Sequence, residues 1–155
     1  MSNIWQSTEG SRALRRARGF TLIEIMVVVI IIGLLAAVIV PQVISKVDEA
    51  RVAKAKQDIQ SLETALTMFR LDNSKYPTTE QGLAALTTQP TDPTIRHWRP
   101  GGYLQHVSKD PWGADYQYTS PGTHVKDYDL YTLGADGQPG GEGQDADIGN
   151  WNMTD

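Results

Sequence analysis

Arg18-Gly19-Phe20-Thr21-Leu22-Ile23-Glu24-Ile25-Met26-Val27-Val28-Val29 decides how the rest of the chain is read. The apolar run continues through Ile30, Ile31, Ile32, Gly33, Leu34, Leu35, Ala36, Ala37, Val38, Ile39 and Val40, and Pro41 ends it. Only Thr21 and Glu24 interrupt it. A helix over these residues reaches ~31 Å, about the thickness of a bilayer core. An ordinary secretory signal has a shorter apolar core and a small-x-small cleavage site, and nothing clear of that kind follows Ala36-Ala37. A plain signal anchor accounts for the length but leaves Glu24 unexplained. A carboxylate in a membrane segment is costly and points to function.

Charge divides at the same place. Arg12, Arg15, Arg16 and Arg18 against Glu9 give the first 19 residues a net charge of +3, whereas the whole chain is at −4, so residues 20–155 carry −7. Positive charge resists translocation, so residues 1–19 are expected on the cytoplasmic side. The chain then divides into a leader over 1–19, a membrane-spanning segment over 20–42 and an outer domain over 43–155. An acidic body argues against a nucleic-acid partner, because phosphate binding needs a basic face. At 155 residues the chain holds one modest domain. It has no cysteine, so a small domain outside the cytoplasm needs another staple.

Gly19-Phe20-Thr21-Leu22-Ile23-Glu24 resembles the prepilin cleavage motif shared by type IV pilins and type II secretion pseudopilins: a basic leader, Gly, Phe, and Glu at the fifth residue after the cut. The resemblance implies that a membrane prepilin peptidase cuts between Gly19 and Phe20 and methylates the new amino group of Phe20. Glu24 then acquires a physical role. In a filament of packed apolar helices, its carboxylate can pair with the Phe20 amine of a neighbouring subunit, and an unpaired buried carboxylate would cost several kcal/mol, so docking is favoured only in the register that supplies the cation. Gly33 and Pro41 weaken the helix locally, which suits either loosening on extraction from the bilayer or close helix packing.

Residues 43–72 keep a helical period. Ile44, Val47, Val52, Ala55, Ile59, Leu62, Leu66 and Phe69 recur mostly at steps of three, four and seven, with charged residues between them, which predicts an amphipathic helix with one core face. Lys54 and Asp58 are spaced for an i,i+4 pair. Asp72-Asn73-Ser74 closes the helix and Tyr76-Pro77 keeps it closed. Thr78 and Gln81 have capping-box spacing, which predicts a short helix over 79–87. Leu71-Asp72-Asn73-Ser74-Lys75-Tyr76-Pro77-Thr78-Thr79-Glu80-Gln81-Gly82-Leu83 resembles the segment after the long helix in major pseudopilins of type II secretion.

Residues 88–102 read as an irregular loop, functional or mobile. Strands are predicted near 103–107, 115–119 and 127–133, with Lys109-Asp110-Pro111-Trp112-Gly113 as a turn and Trp112 as a packing anchor. The fold class is α+β: a long N-terminal helix, half membrane-spanning and half amphipathic, packed on a small antiparallel sheet as in pilins. His97, His106 and His124 lack metal-ligand spacing and read as surface residues. No Ser/His/Asp set, paired-carboxylate cleft or phosphate loop after a strand stands out, so the chain reads as non-enzymatic.

The stretch 133–151, Leu-Gly-Ala-Asp-Gly-Gln-Pro-Gly-Gly-Glu-Gly-Gln-Asp-Ala-Asp-Ile-Gly-Asn-Trp, is rich in glycine and acid and almost without apolar residues before Ile148. Composition alone favours a solvated acidic loop. A hard divalent cation would order it through carboxylates and carbonyls, with Ile148 and Trp151 anchoring its far end. The spacing is not that of an EF-hand. Leu-Gly-Ala-Asp-Gly, the glycine pair and Ala-Asp-Ile-Gly-Asn-Trp resemble the C-terminal loop of major pseudopilins, which binds calcium. Carried onto this chain, the resemblance implies Asp136 as a side-chain ligand, the Leu133 carbonyl, Asp145 and Asp147, and Gln138 as a further position. Calcium would then replace the missing disulfide as the staple.

The resemblance spans about residues 18–152, with an extended leader as its main departure. It implies a structural subunit that polymerises with itself into the pseudopilus of a type II secretion system and drives export of folded proteins across the outer membrane. The partners it implies are the prepilin peptidase, minor pseudopilins, an inner-membrane secretion platform and, before assembly, membrane lipid. The location it implies is the inner membrane, single-pass, with the outer domain in the periplasm. A type IV pilus subunit for adhesion, motility or DNA uptake shares the N-terminal segment but usually carries a C-terminal cysteine pair. A membrane-anchored calcium module that does not assemble would not need the cleavage motif or Glu24.

Overall fold

The computed structural model describes residues 19–153, without the side chains of residues 40–44. The basic leader and the contribution of Ile44 to the helix face lie outside the described residues. Backbone helix α1 runs Leu22–Asn73, Pro41 included. The chain divides into two units, Met1–Pro41 and Gln42–Asp155.

In the first unit, the window Leu22–Ile39 has a mean hydropathy of 3.2 and none of it is buried. Its length and composition suit a bilayer crossing. Thr21 and Glu24 form a reciprocal cap at the helix start: the Thr21 N–H donates to Glu24 Oε2 at 3.4 Å and the Glu24 N–H donates to Thr21 Oγ1 at 3.3 Å.

The second unit is built on the amphipathic part of α1. Ala55, Ile59, Leu62, Leu66 and Phe69 are buried as the period predicts, Ala65 joins them and Val52 packs at the margin. Val47 departs from the expectation and is half-exposed at 47%. It sits where the core face begins, before the first fully buried residue, Ala55. The helix ends at Asn73, and Ser74 takes the left-handed conformation (φ 61°) with its N–H on the Arg70 carbonyl at 2.7 Å. Asn73 Nδ2 then donates to the Phe69 carbonyl at 3.1 Å and to Tyr103 Oη at 3.0 Å.

The predicted capping box forms. The Thr78 N–H donates to Gln81 Oε1 at 3.0 Å and the Gln81 N–H donates to Thr78 Oγ1 at 3.2 Å. The helix beyond the box is shorter than predicted: turns lead into a 3₁₀ helix, Leu83–Leu86. Residues 88–102 are pinned rather than loose. Asp92 accepts from Thr94 N, Gln81 Nε2 and Lys75 Nζ, Trp98 Nε1 donates to the Ala85 carbonyl at 2.9 Å, and Ile95 is buried.

Among the described residues, three antiparallel strands, β1 (Gln117–Thr119), β2 (Asp129–Thr132) and β3 (Ile148–Gly149), lie in the order β1-β2-β3. Tyr118 pairs with Leu130 and Thr132 with Ile148. Two predicted strands appear in shortened form. The one near 103–107 does not form. Tyr103 and Leu104 both donate their N–H to the Leu86 carbonyl, at 2.7 and 3.2 Å, so their backbone docks on the end of the 3₁₀ helix instead of a ladder. Their side chains still pack on the core, with Tyr103 5.3 Å from Phe69 between ring centroids. Strand β3 takes the remaining edge, and its pairing is set by the return of the acidic loop.

Candidate functional site

Two regions carry the residues singled out by sequence. At the helix start, Phe20 is 78% exposed and Glu24 is exposed beside a wholly apolar exposed surface. Such a surface is unstable in water and needs lipid or other helices around it. Within it, Glu24 is the acidic residue of the first turn, where the helix dipole favours negative charge. Gly19 and Phe20 lie ahead of the helix in non-helical backbone, so the peptide bond between them is outside the hydrogen-bonded turns.

The acidic loop begins where β2 ends. Gly134 adopts φ 69°, and a Cβ there would stand 2.7 Å from the Gln144 carbonyl oxygen. Gly141 adopts φ 80°, with its hypothetical Cβ 2.3 Å from the Asp145 carbonyl oxygen. The two arms therefore approach more closely than any side chain allows. The Ala135 N–H donates to the Gln144 carbonyl at 2.9 Å, and the Asp147 N–H to the Gly140 carbonyl at 3.1 Å.

The predicted ligands occupy distinct positions around this turn. Leu133 is partly buried directly after β2. Asp136 is exposed, and its Oδ1 accepts the Gln138 N–H at 3.0 Å. Gln138 is exposed. Asp145 closes a short 3₁₀ turn, Gly143–Asp145. Asp147 Oδ2 accepts the Gly140 N–H at 2.9 Å, while its Oδ1 is buried without a hydrogen-bond partner among the described residues. No three His, Cys, Asp or Glu side chains among the described residues stand close enough together to hold a metal ion. The loop thus sets the Gln144 and Ala146 carbonyls against Gly134 and the Asp145 carbonyl against Gly141, while its carboxylates form no cluster of three among the described residues.

Ile148 is buried in β3, and Trp151 stacks on His124 at 4.0 Å between centroids, so both anchor the far arm. Sequence reading missed two buried carboxylates that frame this end. Asp129 accepts the N–H groups of Thr123 (2.7 Å), His124 (3.0 Å) and Val125 (2.9 Å), the Thr123 hydroxyl (2.7 Å) and contacts His124 Nδ1 at 3.0 Å. Burial pushes this carboxyl up, but the donors from Val125, His124 and Thr123 outweigh it and hold the group well below the usual carboxylate range. Asp110 is the second. The Thr-His-Val run opposite Asp129 gave no sign of such a nest, because three of the donors are backbone N–H groups.

On the amphipathic helix, Lys54 and Asp58 pair at 2.7 Å as the spacing predicts, and Asp58 Oδ2 also accepts the Tyr116 hydroxyl at 3.1 Å. Burial and the neighbouring Asp58 carboxylate push the Tyr116 hydroxyl up, so it remains a donor.

The family described as "Type II secretion system (T2SS), protein G" matches residues 42–151, and the prokaryotic N-terminal methylation motif matches residues 14–40. The type II secretion system core protein G of Vibrio cholerae is 56% identical over 144 residues, 93% of this chain and 98% of its own length. That of Pseudomonas aeruginosa is 56% identical over 138 residues, covering 88% and 96%. The crystal structure of the major pseudopilin from the type 2 secretion system of enterohaemorrhagic Escherichia coli is similar with a TM-score of 0.61 at 46% identity, covering 70% of this chain and 92% of that one. With its apolar N-terminal helix, it is a membrane-anchored chain. The chain belongs to the type II secretion system protein G family and is a structural subunit of the pseudopilus.

Proposed function

We propose that this pseudopilus subunit is cut between Gly19 and Phe20 and methylated on the new Phe20 amine by a prepilin peptidase. Its mature form then polymerises by packing its apolar helix against copies of itself, with Glu24 of one subunit paired to the Phe20 amine of the next. The observation that carries this reading is the wholly exposed apolar surface over Leu22–Ile39 with one carboxylate at its start. Lipid covers that surface before assembly and neighbouring helices cover it afterwards. The cationic amine makes burial of Glu24 tolerable in one register and unfavourable in others. The basic leader supports an inner-membrane location with the outer unit in the periplasm. There the filament, with minor pseudopilins and an inner-membrane platform, advances folded proteins toward the outer membrane.

Calcium is the proposed staple of the acidic loop. The buried, unpartnered Asp147 Oδ1 supports a cation at this loop, as do the close carbonyls around Gly134 and Gly141. The Leu133 carbonyl, Asp136, Asp145, Asp147 and Gln138 would supply the oxygens. Bound calcium would cross-link the arms through oxygen ligands, a role open to mixed carboxylate and carbonyl donors.

The experiment compares proteins in the culture medium with those in the periplasm, with and without the gene. Folded exoproteins should accumulate in the periplasm of the deletion strain, and the gene should restore export. Mass spectrometry of the purified chain should find a methylated Phe20 as its first residue. Intact export in the deletion strain of an organism with one such machine, or an uncut chain, would overturn the reading.

A further inference from the structure

Asp110 is none of the calcium ligands named above, yet it is only 5% exposed and both of its carboxylate oxygens are engaged. Oδ1 accepts the N–H of Trp112 at 3.0 Å and of Ala114 at 2.8 Å, and Oδ2 accepts the Thr132 hydroxyl. Thr132 is 1% exposed and its Oγ1 accepts the Gly134 N–H at 3.4 Å. The Thr132 backbone pairs with Ile148 across the sheet. Leu133 lies between Thr132 and Gly134, and Asp147 directly precedes Ile148. Through one hydroxyl, Asp110 therefore fixes the near end of the acidic loop, at the residue whose backbone also pairs with Ile148 at the far end.

The turn that contains Asp110 does not need this contact. It is already closed by the Asp110 N–H on the Ala114 carbonyl at 2.9 Å and the Gly113 N–H on the Asp110 carbonyl at 3.0 Å. A buried carboxylate is costly unless its hydrogen bonds are made, so the bond to Thr132 is part of what makes this residue tolerable here. With Thr132 fixed, the Leu133 carbonyl and the Gly134 turn start from one defined orientation.

We infer that Asp110, acting through Thr132, is a positioning residue for the calcium loop: it orients the Leu133 carbonyl and the near arm without itself ligating the ion. The inference rests on the calcium reading given above. Oriented ligands bind metal more tightly because less is lost in ordering them, and removing such a partner weakens metal affinity by roughly 10–100-fold.

The test uses the full chain in detergent, stripped with chelator and titrated calorimetrically with calcium, alongside thermal unfolding of the calcium-free forms. Asp110→Asn keeps an acceptor for the turn but removes the carboxylate partner of Thr132, and Thr132→Val removes the hydroxyl at nearly constant shape. Each should weaken calcium binding by ~10-fold or more. The double variant should be no weaker than the weaker single one, and Thr132→Ser should bind like the parent. If Asp110→Asn does not fold, Thr132→Val against Thr132→Ser decides. Losses confined to the melting temperature of the calcium-free chain, with unchanged affinity, would show a purely structural role and overturn the positioning inference while the calcium reading stands. A parent chain that binds no calcium overturns both.

Discussion

Thr21 and Glu24 cap the first turn of α1 reciprocally, each backbone N–H donating to the other's side chain at 3.4 and 3.3 Å. Glu24 therefore has work to do within its own chain besides any partner it meets in a filament. A residue that both starts the helix and carries the charge invites a variant that separates the two. Glu24→Gln keeps the acceptor for the Thr21 N–H and removes the charge; Glu24→Leu removes both. Both variants should insert in the membrane. Both should fail to form filaments in cross-linking and shearing assays, because each loses the ionic partner for Phe20. Filaments from Glu24→Gln would show that capping, not charge, is what assembly needs.

Phe69 is fully buried in the face of α1, against Tyr103. Phe69→Ala removes its contacts and leaves a cavity, which should destabilise the outer unit by about 3–5 kcal/mol. Thermal unfolding followed by tryptophan fluorescence reads it directly. Val47→Ala, at a half-exposed position on the same helix, should stay within about 0.5 kcal/mol of the parent.

Asp129 gives the outer unit a defined pH dependence. Its folded-state carboxyl is held below its ordinary value, so its contribution is complete above the unfolded pKa, about 3.9, and is lost as pH falls from there toward the folded value. Asp129→Asn should lower the melting temperature at neutral pH, with an unsatisfied-donor cost of about 1–3 kcal/mol. It should also flatten the decline in stability below about pH 4. A parallel decline in parent and variant would count against this role.

Chelation should loosen the acidic loop. A ligand at 100 times its dissociation constant stabilises the folded chain by about 2.7 kcal/mol. Chelator, or Asp136→Ala in calcium, should lower the melting temperature accordingly and expose the 133–151 stretch to proteolysis. An identical melt with and without chelator would remove calcium from the account.

Tyr116 and Asp58 join the β1 end of the sheet to α1 through a 3.1 Å hydrogen bond. Tyr116→Phe keeps the ring and loses the bond, so it should cost about 1 kcal/mol, measurable as a shift in denaturant midpoint with an unchanged slope.

Features that depend on neighbours within four residues were readable from the chain alone. The apolar span, the Lys54–Asp58 pair, the stop at Asn73 and the Thr78–Gln81 box all derive from helix geometry and local hydrogen bonding, which any short window of sequence displays. The motif around Phe20 was equally legible, since it is contiguous. Features that need a distant partner were not. Tyr103, Leu104 and Val107 have the side chains of a strand, but a strand exists only if another edge accepts it, and the Tyr103 and Leu104 N–H groups go to the Leu86 carbonyl instead. Ile148 became a strand because Thr132 lay free to pair with it. Asp110 and Asp129 look like ordinary surface acids in the bare sequence. Folding buried them, because donors from 22 residues away in the case of Thr132, and from the backbone of a tight loop in the case of Asp129, converged on their oxygens. Periodicity reports which side of an element is apolar; it carries no information about which remote hydroxyl or N–H group will satisfy a carboxylate once the chain has closed on itself.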